Sequence, residues 1–206
     1  MSLVETEIKN WLGSGSINLF GLPYAGKDTQ GELLAEKFGA RLLGGGEILR
    51  GSVIPPHVKV AIDAGNLAPT QEYIDIVLPY LSRSEFANKP LILSAVGRWH
   101  GEETGVLQAT KQSGHSIKAV IYLAIDESTL RRRWEATQSA GGRGERADDA
   151  RDILDTRLAE FREKTLPVIE TYREMGLLIE VDASVDVTTV NQQILSELSR
   201  FASAAQ

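Results

Sequence analysis

The sequence predicts an α/β fold in which helices cover both faces of a parallel sheet. Two observations support this prediction. Short, nearly continuous apolar stretches alternate with segments whose apolar residues recur at helical spacing, as is typical of parallel strands buried on both faces. In addition, a glycine-rich turn directly follows the first apolar stretch and precedes a helical segment. Folds of this class bind ligands at the carboxyl ends of their strands, where such a turn lies.

The predicted strands are short apolar runs, and they span residues 17–20, 41–43, 91–95, 118–124 and 177–181. The predicted helices share apolar residues three or four positions apart. They comprise residues 4–12 and the segments marked by Leu34 and Phe38, by Val77 and Leu81, by Leu130 and Trp134, by Leu154 and Leu158, and by Ile194 and Leu198. Thr70 begins one helix, Asp126 is a suitable N-terminal cap for another, and Gly39 is a suitable stop.

Residues 21–31 read GLPYAGKDTQG and predict a polyphosphate-binding loop. Glycines let the backbone curl so that several N–H groups point at one anion, and the helix that follows adds the positive end of its dipole. We expect Lys27 to reach the β- and γ-phosphates. The match to G-x-x-x-x-G-K-[ST] is imperfect, because Asp28 stands where Ser or Thr is usual and Thr29 comes one place later. The alternative is a plain strand-to-helix turn with a surface lysine.

Charge and composition exclude several classes of function. A net charge of −6 argues against general nucleic-acid binding, although a local arginine cluster can still bind a nucleotide. The chain has no run of about 18 apolar residues and no basic segment followed by a long apolar one at its N-terminus. Since cysteine is absent as well, we expect a cytoplasmic protein that binds neither nucleic acid nor membranes.

Arginines follow the predicted strands and flank a glycine-rich segment. Arg98 follows the third strand, Arg133 lies on the helix after the fourth, and Arg146 directly follows the segment QSAGGRGE. Arg157 comes three helical turns after Arg146, on the same face of a helix that begins near residue 147. Forked guanidinium groups match the charge of a transferring phosphoryl group. The alternative is a set of solvated arginines paired with nearby carboxylates.

The order of these motifs resembles the adenylate kinase family of nucleoside monophosphate kinases, from residue 17 to residue 194. GLPYAGKDTQ is similar to the family's loop with G-K-G-T-Q, and GGGEILR to S-T-G-D-M-L-R. DAGNL is similar to D-A-G-K-L, and SAVGR occupies the place of D-G-F-P-R. RADD followed by TRLAEFREKTLPVIETY is similar to R-x-D-D and R-L-x-x-Y-x-x-x-T-x-P-x-I-x-x-Y, the most specific of these matches.

The resemblance implies a three-layer P-loop NTPase fold with a five-stranded parallel sheet. A single kinase domain would span residues 1–206, with a core of residues 16–43, 88–137 and 146–206. An acceptor-binding excursion would lie at residues 44–75 and a short lid at residues 138–145.

The resemblance also implies a role for each matching residue. The catalytic residues would be Lys27, Arg98, Arg133, Arg146 and Arg157. The ATP-binding residues would be Gly21, Tyr24, Ala25, Gly26, Lys27, Asp28, Thr29, Arg133 and Val185. The acceptor-binding residues would be Gly45, Gly46, Arg50, Leu67, Arg98 and Glu102. Mg²⁺ would bridge the phosphates of ATP, with Asp28, Glu47 and Ser94 on its side of the cleft, acting through water.

Several residues differ from the family pattern. Ser94 replaces an aspartate that holds a magnesium-bound water, and Asp28 is an extra carboxylate that we interpret either as a partial replacement or as a favourable charge at a helix N-terminus. Gly45 replaces a threonine that meets the acceptor base, so we expect more room or a bridging water there. Glu102 stands where a glutamine reads the base; the alternative is a solvent-facing carboxylate. Thr137 replaces a second lid arginine.

We therefore expect a monomeric ATP-dependent kinase that transfers the γ-phosphoryl group of ATP to a nucleoside monophosphate, with AMP as the first candidate. GMP, CMP or UMP, or another small phosphorylated acceptor, are the alternatives. A further alternative is a weakly active nucleotide-binding module.

Overall fold

The structure, a computed structural model, describes residues 2–63, 70–139 and 151–204. Five parallel strands form one sheet in the order β2-β3-β1-β4-β5. The strands are β1 (Ser16–Gly21), β2 (Arg41–Gly44), β3 (Leu91–Ser94), β4 (Ile117–Ala124) and β5 (Leu178–Asp182). The central strand is β1, since Ile17 pairs with Ile92 of β3 on one side and with Ala119 of β4 on the other. The predicted α/β class and parallel sheet are confirmed.

Helices connect the strands and flank the sheet. They are α1 (Leu3–Leu12), α2 (Lys27–Phe38), α3 (Gly45–Arg50), α4 (Pro56–Asp63), α5 (Thr70–Leu81), α6 (Glu103–Gln112), α7 (Glu127–Ser139), α8 (Arg151–Glu160), α9 (Leu166–Glu174) and α10 (Val187–Ala204). The capping predictions hold where the geometry is described: Asp126 Oδ1 accepts the N–H of Thr129 at 2.7 Å, and Gly39 ends α2 at φ 65°. In the residues described, no helix is long and apolar enough to span a membrane.

The sheet separates two hydrophobic cores, which explains the three layers. On one face, buried residues of α1, α2 and α10 pack against β1, among them Ile8, Leu34 and Ile194. On the other face, buried residues of α5, α6 and α9 do so, among them Val77, Val106 and Ile169. Strand β1 serves both cores, because Ile17 and Leu19 face the first and Phe20 the second. Burying each such side chain stabilises the folded state by about 1.5–3 kcal/mol. Each helix therefore packs against the sheet with the face that carries its apolar residues.

Most strand boundaries differ from the sequence prediction by one residue, and two differences have local physical reasons. Strand β3 ends at Ser94 and not at residue 95, because Ala95 has a φ of 52° and cannot continue an extended strand. The helical segment marked by Leu154 and Leu158 widens after α8 into a π-helical turn, Phe161–Thr165. Pro167 follows this turn, lacks an N–H, and would clash with the carbonyl four residues earlier in a regular α-helix. The wider π-helical turn directly before Pro167 relieves that conflict.

Candidate active site

A cleft of about 1020 Å³ opens at the carboxyl edge of the sheet. The loops that follow β1, β2 and β3 meet there with α8 and the π-helical turn. The residues predicted for the site that line this cleft are Gly21, Tyr24, Lys27, Asp28, Gly45, Gly46, Glu47, Ser94, Arg98, Glu102 and Arg157. Topology explains the convergence, since the ends of parallel strands lie at one edge of a sheet.

The glycine loop connects β1 to α2 in a tight curl. Tyr24 and Gly26 have φ values of 62° and 95°, and α2 begins at Lys27. A Cβ at Gly21 would lie 2.9 Å from the carbonyl oxygen of Leu123, so only glycine fits that close approach. The Lys27 ammonium donates to the carbonyl oxygens of Gly21 and Leu22 at 2.8 and 2.9 Å. The lysine is therefore held at the loop itself, where the sequence predicted an anion site.

Asp28 and Ser94 form the side of the cleft at which metal binding was predicted. The Ser94 hydroxyl donates to Oδ1 of Asp28 at 3.4 Å, which joins the first turn of α2 to the end of β3. Among the residues the structure describes, no group of three carboxylate or histidine side chains is placed to hold a metal by itself. This donor set fits Mg²⁺ bound to a nucleotide, because Mg²⁺ keeps several waters and uses one or two carboxylates together with phosphate oxygens.

Glu47, the third residue predicted on the metal side, lines the cleft and is hydrogen-bonded to side chains of β2 and α5. Its Oε1 accepts from Arg41 at 3.3 Å and from the Tyr80 hydroxyl at 3.5 Å.

Gly45 differs from the sequence expectation. A Cβ there would lie 2.9 Å from the carbonyl oxygen of Ala95, so the space that a side chain would need is filled by backbone. The expected extra room beside Gly45 is therefore wrong, and the glycine instead permits close contact between α3 and the loop after β3.

The loop after β3 has an unusual backbone conformation. Ala95 and Gly97 have φ values of 52° and 68°. Between them, the backbone of Val96 is clamped by the buried amide of Asn18, which donates to its carbonyl at 2.8 Å and accepts its N–H at 3.3 Å. Sequence reasoning missed Asn18, although an amide inside an apolar strand was the available signal. The clamp fixes the loop that carries Arg98.

Glu102 lies at the N-terminal end of α6 and is half-buried, so the alternative of a solvent-facing carboxylate is not what the structure shows. Its Oε2 accepts the backbone N–H of Trp99 at 3.2 Å. Burial raises the pKa of Glu102 to about 7, against the lowering effects of the Trp99 N–H and the Arg98 guanidinium, while Glu103 adds to the rise. Both protonation states are therefore accessible near neutral pH.

The π-helical turn anchors the segment between Arg98 and Glu102. The Lys164 ammonium lies 4.4 Å from the centroid of the Trp99 ring, and the His100 N–H donates to the Lys164 carbonyl at 2.9 Å. Trp99 also lines the cleft and was not among the predicted residues. These contacts connect the loop after β3 to the helical unit that carries Arg157.

Arg133 connects the glycine loop to the backbone after β5. Its guanidinium donates to the carbonyl oxygens of Ala183 and Val185 at 2.7 and 3.1 Å and to that of Tyr24 at 3.3 Å. The neighbouring Arg131 instead forms ion pairs with Glu127 at 2.7 Å and with Asp155 at 2.8 Å. For Arg131, therefore, the alternative of a solvated arginine paired with nearby carboxylates is what the structure shows.

Some predicted positions are not described. Leu67 and Arg146 lie outside the described residues, as does most of the predicted lid, 138–145. The backbone of Arg50 ends α3, but its side chain is likewise outside what is described. Thr29 is half-buried on α2, next to Asp28.

Comparison with known proteins agrees with this geometry. The family model described as adenylate kinase matches residues 19–177. The chain is 35% identical over 183 residues to the adenylate kinase of Rhizobium meliloti (strain 1021), a match that covers 84% of this chain and 94% of the relative. It is 32% identical over 195 residues to that of Nitrobacter hamburgensis (strain DSM 10229 / NCIMB 13809 / X14), covering 91% and 93%. We conclude that this chain belongs to the adenylate kinase family, the ATP-dependent nucleoside monophosphate kinases.

Proposed function

We propose that the chain transfers the γ-phosphoryl group of ATP to a nucleoside monophosphate, with AMP as the first candidate acceptor. The observation that carries this proposal is the convergence of three cations on one cleft: Lys27 from the glycine loop, Arg98 from the loop after β3, and Arg157 from α8. Phosphoryl transfer needs little covalent chemistry from the protein, and its rate depends on positioning and on neutralising developing charge. Cations brought from three separate elements support transfer over simple nucleotide binding.

The donor would bind at the glycine loop. Backbone N–H groups of the loop and the N-terminus of α2 would hold its phosphates, and Lys27 would exchange its two carbonyl partners for phosphate oxygens. Arg133 and the carbonyls of Ala183 and Val185, which it contacts, would border the adenine. Asp28 and Ser94 would hold the water shell of Mg²⁺, which would supply positive charge beside the phosphates when bound.

The acceptor would bind on the other side of the cleft. Arg98, with Arg50 from the excursion 44–75, would hold its α-phosphate, and Arg157 with Arg146 would neutralise the group in transfer. Gly45, Gly46 and Leu67 would border its base. The short lid 138–145 would exclude water, which otherwise competes for the phosphoryl group. We also propose that the protein is cytoplasmic and monomeric.

GMP is the second candidate acceptor, because Glu102 lines the cleft where the family pattern has glutamine. An ionised carboxylate only accepts hydrogen bonds, and guanine offers two adjacent donors at N1 and N2.

An assay of ADP release across a panel of acceptors tests the proposal. We would supply ATP and Mg²⁺ with AMP, GMP, CMP, UMP or dTMP, and ATP alone as the background. The proposal predicts turnover with at least one monophosphate far above that background, and loss of the turnover in Arg157→Ala. Turnover equal to the background with all five acceptors, in folded protein that binds ATP, would overturn transfer to a nucleoside monophosphate in favour of a different small phosphorylated acceptor or a nucleotide-binding module.

A further inference from the structure

Glu102 lines the cleft with a carboxyl group that is already tied to the backbone of its own loop. Oε2 accepts the Trp99 N–H at 3.2 Å and keeps a second lone pair, and the side chain lines the cleft. Trp99 is itself fixed by the Lys164 ammonium over its ring and by the adjacent hydrogen bond from His100 to the Lys164 carbonyl. The carboxyl group is therefore presented from an anchored loop, not from a free surface side chain.

Among the described residues, charged and titratable groups near Glu102 come from its own loop, from α6, from α9 and, through Lys164 over the Trp99 ring, from the π-helical turn. From its own loop, the Arg98 guanidinium favours the carboxylate. From α6, Glu103 disfavours it; this neighbour is buried, accepts the Gly101 N–H at 2.7 Å and lies 3.5 Å from His100. From α9, the hydroxyl of Tyr172 is buried with no hydrogen-bond partner, and the pKa of Tyr172 is raised by burial and by the two glutamates. Burial outweighs Arg98, so the neutral acid persists near pH 7.

The two protonation states of a carboxyl group match different bases. The acid has one O–H donor and one acceptor oxygen, the pair that an amide offers, and this pair complements N1 and the amino group of adenine. The carboxylate has two acceptors, which complement the N1 and N2 donors of guanine. We propose that the protonation state of Glu102 selects the base of the acceptor: the carboxylic acid binds adenine, and the carboxylate binds guanine.

This inference rests on the proposed function, and its first test is kinetic. We would measure kcat/KM for AMP and for GMP between pH 6 and pH 8 in the wild type, in Glu102→Gln and in Glu174→Gln. Glu174 is an exposed carboxylate on α9 and serves as the matched control. The acceptor phosphate titrates in the same range, but it does so equally in AMP and GMP, so the ratio of the two kcat/KM values isolates the base.

The AMP-to-GMP ratio is expected to fall by about tenfold or more from pH 6 to pH 8 in the wild type and in Glu174→Gln. In Glu102→Gln, whose amide does not titrate, the ratio should favour AMP at every pH. A wild-type ratio that does not change with pH, or the same change retained in Glu102→Gln, would overturn the inference. If no monophosphate is phosphorylated at any pH, the proposed function fails instead, so the two failures are distinct.

A binding measurement tests the same point without turnover. Calorimetry of AMP binding at pH 8, in buffers of different ionisation enthalpy, reports the protons taken up on binding. Wild type should take up nearly one proton more than Glu102→Gln, because adenine requires the acid. Equal proton uptake in the two proteins would contradict the inference, even if both bind AMP.

Discussion

Asp28 and Ser94 meet at the mouth of the cleft, where the Ser94 hydroxyl donates a 3.4 Å hydrogen bond to Oδ1 of Asp28. They come from the first turn of α2 and the last position of β3, so the contact exists only because β3 lies beside β1 in the sheet. Where the family pattern has a carboxylate at the end of β3, this chain has a hydroxyl there and a carboxylate next to it.

Asp28→Asn is expected to raise the Mg²⁺ concentration needed for half-maximal rate by severalfold, because the amide holds a metal-bound water less strongly than the carboxylate does. The Mg²⁺ dependence of ATP affinity, measured by equilibrium titration, should shift in parallel. Glu36→Gln, an exposed change on the same helix, is the control. If the Mg²⁺ titrations are unchanged and the variant only loses about 0.5–1 kcal/mol of stability, Asp28 acts on the helix dipole alone.

Lys27→Met is expected to reduce kcat by about 100-fold or more while the protein stays folded, since an ammonium at the phosphates stabilises the transition state by several kcal/mol. Single-turnover kinetics and circular dichroism would measure the two properties. Lys111→Met, at an exposed site on α6, should retain full activity. Near-normal turnover by folded Lys27→Met would show that the glycine loop does not bind the donor phosphates.

Arg98→Ala and Arg157→Ala are each expected to lower kcat about 100-fold or more, but to change the free energy of unfolding by less than about 1 kcal/mol. Both side chains line the cleft and neither is fully buried, so charge should matter more than packing. Denaturant titration and steady-state kinetics would be compared with those of Arg200→Ala, which removes an exposed ion pair on α10. Large losses of stability with little change in kcat would assign both arginines a structural role.

The stability of the unliganded protein should depend on Glu102 with a definite sign. Its pKa rises from the ordinary value of 4.5 to about 7 on folding, so the folded state binds the proton more tightly than the unfolded state. The resulting stabilisation is fully present below pH 4.5 and is lost as the pH rises to about 7. The loss is at most about 3 kcal/mol, and smaller because the carboxyl is partly solvated. Denaturant titrations of wild type and Glu102→Gln should converge at low pH and diverge above it; parallel pH profiles would contradict the raised pKa.

Gly97→Ala is expected to destabilise the protein more than Gly114→Ala. Both glycines have positive φ, 68° and 83°, so both alanines cost about 1–2 kcal/mol of backbone strain. A Cβ at Gly114 meets nothing within 4 Å, whereas one at Gly97 would overlap the buried Cγ2 of Val106 and add about 1–3 kcal/mol. Thermal unfolding of the two variants measures the difference, and equal losses would show that the loop after β3 shifts freely.

The sequence by itself determined the five strands, six of the helices, the phosphate-binding loop and the family, whereas α3, α4, α6 and α9 were not predicted. Those signals are local: apolar periodicity reports which residues face the core, and glycine at fixed positions reports a backbone curl next to Lys27. The departures at Asp28, Ser94 and Glu102 were also visible, because each stands inside a motif whose usual residue differs.

Only the tertiary structure decided what those departures do. Periodicity does not specify strand order, and strand order places Ser94 beside Asp28 and Asn18 beside Val96. The carbonyl of Ala95 fills the space at Gly45, and burial raises the pKa of Glu102. These outcomes depend on which distant segments the sheet brings into contact, since desolvation and close packing are properties of the assembled environment and not of the chain position.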